Sequence, residues 1–136
     1  MQEAMSLAPP GKSQPLSLFE RLGGEGAIES AVALFYEKVT ADPLTAPYFQ
    51  RMDMRAQVRK QIGFMTHAFG GQAAYTGRDL RTAHKQLVQR DGLSDVHFDA
   101  VARHLQATLE ELDVPRDLIA ECIALVATLR DEVLDR

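Results

Sequence analysis

Apolar residues recur at helical spacing along most of this chain. Between residues 25 and 40, Ile28, Val32, Phe35 and Val39 follow one another at intervals of four, three and four. That spacing places them on one face of a helix, not on alternate sides of a strand. A second stripe, Met54, Val58, Ile62 and Met65, begins just after Asp53, a good N-cap, and should end at Gly70-Gly71. A third, Phe98, Val101, Ala102, Leu105, Leu109 and Leu112, follows a capping Ser94. The last, Ile119, Cys122, Ile123, Val126, Leu129 and Val133, reads as a single final helix. Pro115 fits its first turn, where a missing N–H costs nothing.

Shorter pieces join these helices. "LSLFERLGG" predicts a short helix stopped by Gly23 and Gly24, and "ADPLTAPYF", broken by Pro43 and Pro47, allows only a turn or two. Another short helix is expected over about 78–88, and Asp91-Gly92 reads as a turn. No segment reads as a strand, so the fold class is all-α. Residues 1–15 carry Pro9, Pro10, Gly11 and Pro15 among small and polar neighbours and read as a flexible leader. Residues 16–136 form one domain, a size that supports a real core.

Composition narrows the function. The net charge of −4 and pI near 5.5 argue against a nucleic-acid partner, which requires a basic field. No apolar run approaches the length of a membrane-spanning helix, so no membrane partner is expected. The first residues lack the basic start and apolar stretch of a secretory signal. The one cysteine, Cys122, excludes an internal disulfide and suits the reducing cytoplasm. On its apolar stripe it reads as a small core group.

Candidate chemistry is sparse. The chain has no HExxH, no HxxxH and no Cys/His cluster, so a zinc site built from protein alone is not expected. It also lacks GxSxG and a phosphate-binding glycine loop. "GGEG" at 23–26 follows a helix instead of a strand. His97 and His104 read as surface or boundary residues, and His67, near a helix end, as structural. Gln57 and Gln61 are four apart on one face, with Phe64 three further on. Both amides could face water; facing inward, each would need a partner or cost about 1–3 kcal/mol. Tyr36 adjoins an apolar stripe and reads as a core ring with a polar tip. His84 stands in "YTGRDLRTAHKQL", residues 75–87. One imidazole cannot hold a bare metal, but it can hold an iron already gripped by a porphyrin.

Several separated motifs, taken in order, change this picture: "LGG", "FY" at 35–36, "YF" at 48–49, "QVRKQ" at 57–61, "FGG" at 69–71, "YTG" at 75–77 and "AHKQL" at 83–87. From about Leu18 onward the chain resembles the truncated haemoglobins of group I, also called N. The resemblance implies a two-over-two helical sandwich around a b-type haem. It implies that His84 is the proximal iron ligand and that Phe49 packs on the haem. By position, Tyr36, Gln57 and Gln61 match the three polar residues around the distal ligand. Phe35, Phe64, Leu80, Val101 and Val126 fall to the haem slot or the core, and Tyr75 and Arg81 to the propionates.

Lys60 has two readings. It forms a salt bridge to a propionate, or it ligates the iron directly when no gas is bound. The family's bis-histidine pairing is impossible with lysine there. The last helix has no histidine to bond a vinyl group and the chain no CxxCH, so the haem should be non-covalent. The tryptophan of the other truncated groups is missing. Some members with an apolar gas tunnel carry Phe just after the position of Phe64, where this chain has Met65. The function implied is reversible binding of O2, CO and NO. The alternatives are nitric oxide dioxygenation with a partner reductase, or a redox or sensor role with Lys60 as sixth ligand.

Overall fold

A computed structural model describes residues 16–70 and 77–136, the side chains of 77–79 excepted. The leader expected over 1–15, Gly71 and Tyr75 lie outside the described residues. Among the described residues the elements are α1 (Leu18–Leu22), α2 (Glu25–Ala41), a 3₁₀ turn (Ala46–Phe49), α3 (Met54–Gly70), α4 (Gly77–Gln89), α5 (Asp95–Glu111), α6 (Arg116–Ala127) and α7 (Arg130–Val133). No strand occurs among them. Two pairs, α2 with α3 and α5 with α6, meet where α2 packs on α5, which gives the expected two-over-two arrangement.

Local chemistry sets the boundaries. Ser17 opens α1 by accepting the Glu20 N–H at 3.1 Å, while the Glu20 carboxylate accepts the Ser17 N–H at 3.0 Å. Gly23 closes it at φ +116°, a left-handed conformation in which a Cβ would also stand 3.1 Å from that of Ala27. Asp53 caps α3 as expected, its Oδ1 accepting N–H groups of Arg55 at 3.1 Å and Ala56 at 3.4 Å. Thr45 is buried before the 3₁₀ turn because its hydroxyl donates to the Val39 carbonyl at 2.7 Å.

The core joins Ile28, Val32, Phe35, Tyr36 and Val39 of α2 to Met65 and Phe69 of α3, Leu105 and Leu109 of α5, and Ile119 and Cys122 of α6. Val32, Val39 and Cys122 are sealed from solvent. Burial first, and the Glu121 carboxylate second, push the Cys122 thiol up to about 11. Leu112, placed on the α5 stripe by spacing, instead lies just past the helix end and is 39% exposed.

The final helix is not continuous. The Thr128 hydroxyl donates to the Leu125 carbonyl at 2.6 Å, and the Thr128 and Leu129 N–H groups reach back three residues to Leu125 and Val126. Those tighter bonds end α6 at Ala127 before α7 begins. Pro115 sits one place earlier than expected, at the N-cap, where its carbonyl accepts the Ile119 N–H at 3.0 Å.

Candidate functional site

Tyr36 of α2 and Gln57 of α3 meet. Tyr36 is only 6% exposed, within the core and not at its edge. Its ring stands edge-on to Phe35 at 5.4 Å and to Phe49 at 5.6 Å between centroids. Burial pushes its phenol above the ordinary tyrosine range, and a side-chain hydrogen bond with Gln57 pulls part of the way back. The hydroxyl therefore keeps its proton across the physiological range.

Gln57 and Gln61 are half-buried on the same face of α3. Among the described residues Gln61 has no hydrogen-bond partner in the chain, so its amide is open to a ligand. Phe49, Phe64, Val101 and Val126 pack against the core cluster that contains Phe35 and Tyr36. Lys60, one residue before Gln61, is exposed and enters no ion pair.

His84 lies on α4, half-buried, with Nδ1 2.8 Å from the Leu80 carbonyl. A carbonyl only accepts, so Nδ1 carries a proton, and in the neutral ring the lone pair is on Nε2. That is the tautomer a metal-ligating imidazole needs, with its orientation already fixed. Leu80 is itself buried and anchors the turn. Arg81, placed with the propionates by position, binds the Asp135 carboxylate at 3.2 Å and the Arg136 main-chain oxygen at 3.4 Å. Gln89 donates to the same Asp135 at 3.2 Å. The described residues hold no cluster of three metal-binding side chains. An iron here would depend on a porphyrin, and the donor set fits one: a single presented imidazole, an apolar wall, and buried hydrogen-bond donors.

The other histidines have partners or structural places. His97 Nδ1 accepts the Ser94 N–H at 3.0 Å and so completes the α5 cap. His104 Nε2 donates to Asp42 at 2.7 Å, a carboxylate partner that sequence spacing had not revealed. His67 is half-buried in the last turn of α3. Beside the site, an apolar cavity of about 230 Å³ is lined by Ile28, Ala31, Met65, Phe69, Leu105 and Leu109, among others.

Comparison with known proteins agrees with this geometry. Residues 17–135 match the Bacterial-like globin family. A group 1 truncated haemoglobin from Chlamydomonas moewusii, LI410, is 50% identical over 126 residues, 93% of this chain and 72% of that protein. The chain belongs to the group 1 truncated haemoglobins. Solved structures match as well. The 2/2 haemoglobin of Synechococcus sp. PCC 7002, in the cyanomet state with covalently attached haem, superposes with a TM-score of 0.83. It is 48% identical, and the match covers 88% of this chain and 99% of that one. The truncated haemoglobin of Tetrahymena pyriformis in its iron(III) form gives 0.77 at 37% identity, over 87% of this chain and 97% of that one. Membership in this globin family carries haem-based binding of diatomic gas. No described helix is long and apolar enough to cross a membrane.

Proposed function

We propose that this truncated haemoglobin holds a b-type haem non-covalently through Nε2 of His84 and retains O2 by hydrogen bonds from Tyr36, Gln57 and Gln61. The observation that carries the reading is the His84–Leu80 contact, because it orients the imidazole and ties the Nδ1 proton to a carbonyl, so that Nε2 is the nitrogen presented for ligation. Haem, when bound, supplies an iron that accepts a diatomic molecule and shifts electron density onto it. Tyr36 and the two amides then donate charge-assisted hydrogen bonds to that ligand, each stronger than a neutral one. Carbon monoxide carries less charge and gains less, and NO shares the site. The chain's last helix lacks histidine, which supports non-covalent attachment where the Synechococcus protein has a covalent link.

The Tetrahymena protein lends support from its own variants. It has been solved with one tyrosine replaced by Phe and with each of two glutamines replaced by Glu, at positions spaced by 21 and 4. Tyr36, Gln57 and Gln61 have the same spacing. The exposed Lys60 is placed to meet a propionate at the pocket mouth. The cavity edged by Met65 gives an apolar gas a place to reside near the site.

Ferric iron must regain an electron before it binds O2. The chain carries no flavin or nicotinamide motif, so a partner reductase supplies it. The same distal donors would serve nitric oxide dioxygenation, in which NO, O2 and one electron give nitrate. Absorption spectra of the ferric, ferrous and oxygenated protein test the main reading. An intense band near 400 nm that shifts on reduction and again on O2 addition is expected. A colourless purified protein that takes up no haem would refute it. A ferric spectrum turning low-spin at alkaline pH in the parent, and not in Lys60→Ala, would move Lys60 from propionate to iron.

A further inference from the structure

Charge is unevenly placed along this acidic chain. Residues 51–90 hold eight of the 15 Lys and Arg but two of the 19 Asp and Glu, a net of +6 against −10 for the rest. Half of that excess lies on α3 and its lead-in, as Arg51, Arg55, Arg59 and Lys60, all exposed. α3 itself contains no acid, and the Asp53 carboxylate before it is occupied in capping. Arg55 and Arg59 are four apart on the side of the helix away from Gln57 and Gln61.

Two observations separate this face from an ordinary solvated one. Six other described cations are neutralised: Arg21 by Glu121, Lys38 by Glu111, Arg81 by Asp135, Arg90 by Asp91, Arg130 by Asp95 and Asp99, and Arg136 by Asp95 and Asp131, while Lys85, Arg103 and Arg116 are unpaired among the described residues but lie on three different helices. Arg51, Arg55 and Arg59 enter no ion pair among the described residues, and Lys60 has none but the propionate proposed above. Second, α1, α2, α5, α6 and α7 each place an acid in the first turn, where the helix dipole favours it. α3 places Arg55 there and no acid, so that the Asp53 N-cap is the sole carboxylate at that end.

We propose that the outer face of α3 docks an acidic one-electron carrier protein that reduces the haem iron. The proposal rests on the haem reading above. One electron passes from the reduced donor to ferric iron, leaving ferrous iron and oxidised donor, and no bond is made or broken. α3 is the wall whose inner face carries the distal residues, so a donor on its outer face lies about one helix diameter, roughly 10–12 Å, from the pocket. A positive face on an otherwise negative molecule also orients an acidic partner during encounter. A nucleic acid or anionic membrane fits less well, because the remainder of the surface repels it. A second copy would pair unlike faces, a head-to-tail contact that does not close.

The test uses the full chain loaded with haem in the ferric state. Stopped-flow absorbance follows its reduction by a reduced acidic [2Fe–2S] ferredoxin and, separately, by photoreduced lumiflavin, a small uncharged donor. With ferredoxin the second-order rate constant should fall about tenfold or more as salt rises from about 0.01 to 0.5 M. The double variant Arg55→Glu/Arg59→Glu should lower it about tenfold at low salt, keep its haem, and react with lumiflavin at the parent rate. Glu29→Lys on α2 should not slow the reaction with ferredoxin. Equal ferredoxin rates for parent and double variant at low salt would overturn the proposal. Haem loss in the double variant would do the same, since the arginines would then be holding propionates. A chain that shows no haem signal with lumiflavin would instead sink the gas-binding reading itself.

Discussion

Tyr36 stands on α2, whose inner face carries Ile28, Val32, Phe35 and Val39, all buried in the main core. His84 stands on α4, where Leu80 is the one fully buried side chain among the described positions and α7 is the principal neighbour. Tyr36, on the proposed gas side, is thus positioned by close packing. His84, on the proposed proximal side, is positioned by polar ties: His84 to Leu80 within the helix, and Arg81 and Gln89 to Asp135 across to the C-terminal segment. Packing defines one geometry and resists change. Partly exposed ion pairs are individually weak and compete with water. If His84 holds the haem as proposed, α4 is the helix with most to gain, because whatever binds the folded form alone stabilises it.

The contrast is broken most completely at His84, the proposed iron ligand. His84→Ala should abolish stable haem uptake, read as loss of the band near 400 nm per protein, and added imidazole should restore part of it. The distal counterpart is milder. Tyr36→Phe keeps the ring and its packing but removes a charge-assisted hydrogen bond of about 1.5–3 kcal/mol, so O2 dissociation should accelerate about 10- to 150-fold. Stopped-flow displacement of O2 by CO measures this, and CO dissociation should change less. Equal effects on both gases would mean that Tyr36 acts by shape alone.

Stability measurements sharpen the comparison further. Ile28→Ala should cost about 2–5 kcal/mol in denaturant unfolding, since Ile28 is buried on the α2 face. Asp135→Asn, which loosens α4 from the C-terminal segment, should cost at most about 1 kcal/mol globally. Its signature is faster amide exchange in α4 while α2 and α3 stay protected. If α2 exchanged equally fast, the two sides would be one cooperative unit.

The smallest expected effect is on acid stability. The His104 hydrogen bond, and then the Leu44 N–H, hold the Asp42 carboxyl below its ordinary 3.8. A folded value below the unfolded one means the contact stabilises fully above about pH 4 and is lost as pH falls towards the folded value. His104→Gln should flatten that part of the acid-unfolding curve.

Much of the fold was legible because it rests on local rules. The stripes of α2 and α3, the Asp53 and Ser94 caps and the Gly23 stop each depend on residues within one or two turns. The site was legible in a different way. Nothing in the spacing distinguished His84 from a surface histidine, and the role proposed for it came from the resemblance carried by "YTG" and "AHKQL". The Asp135–Arg81 tie and the Asp42–His104 pair join positions 54 and 62 residues apart, and no periodicity reports such contacts. The break after Ala127 was missed because the apolar stripe continues through it. The termination lies in the Thr128 hydroxyl bonding its own backbone.

Cys122 lends itself to optical work. It is the chain's one cysteine, it has no exposed surface, and with its thiol near 11 it offers almost no thiolate at neutral pH. Maleimide dyes should pass over it, so a single cysteine engineered at Lys85 on α4 would take a fluorophore without background. Quenching of that dye by an arriving porphyrin would then time cofactor capture in real time.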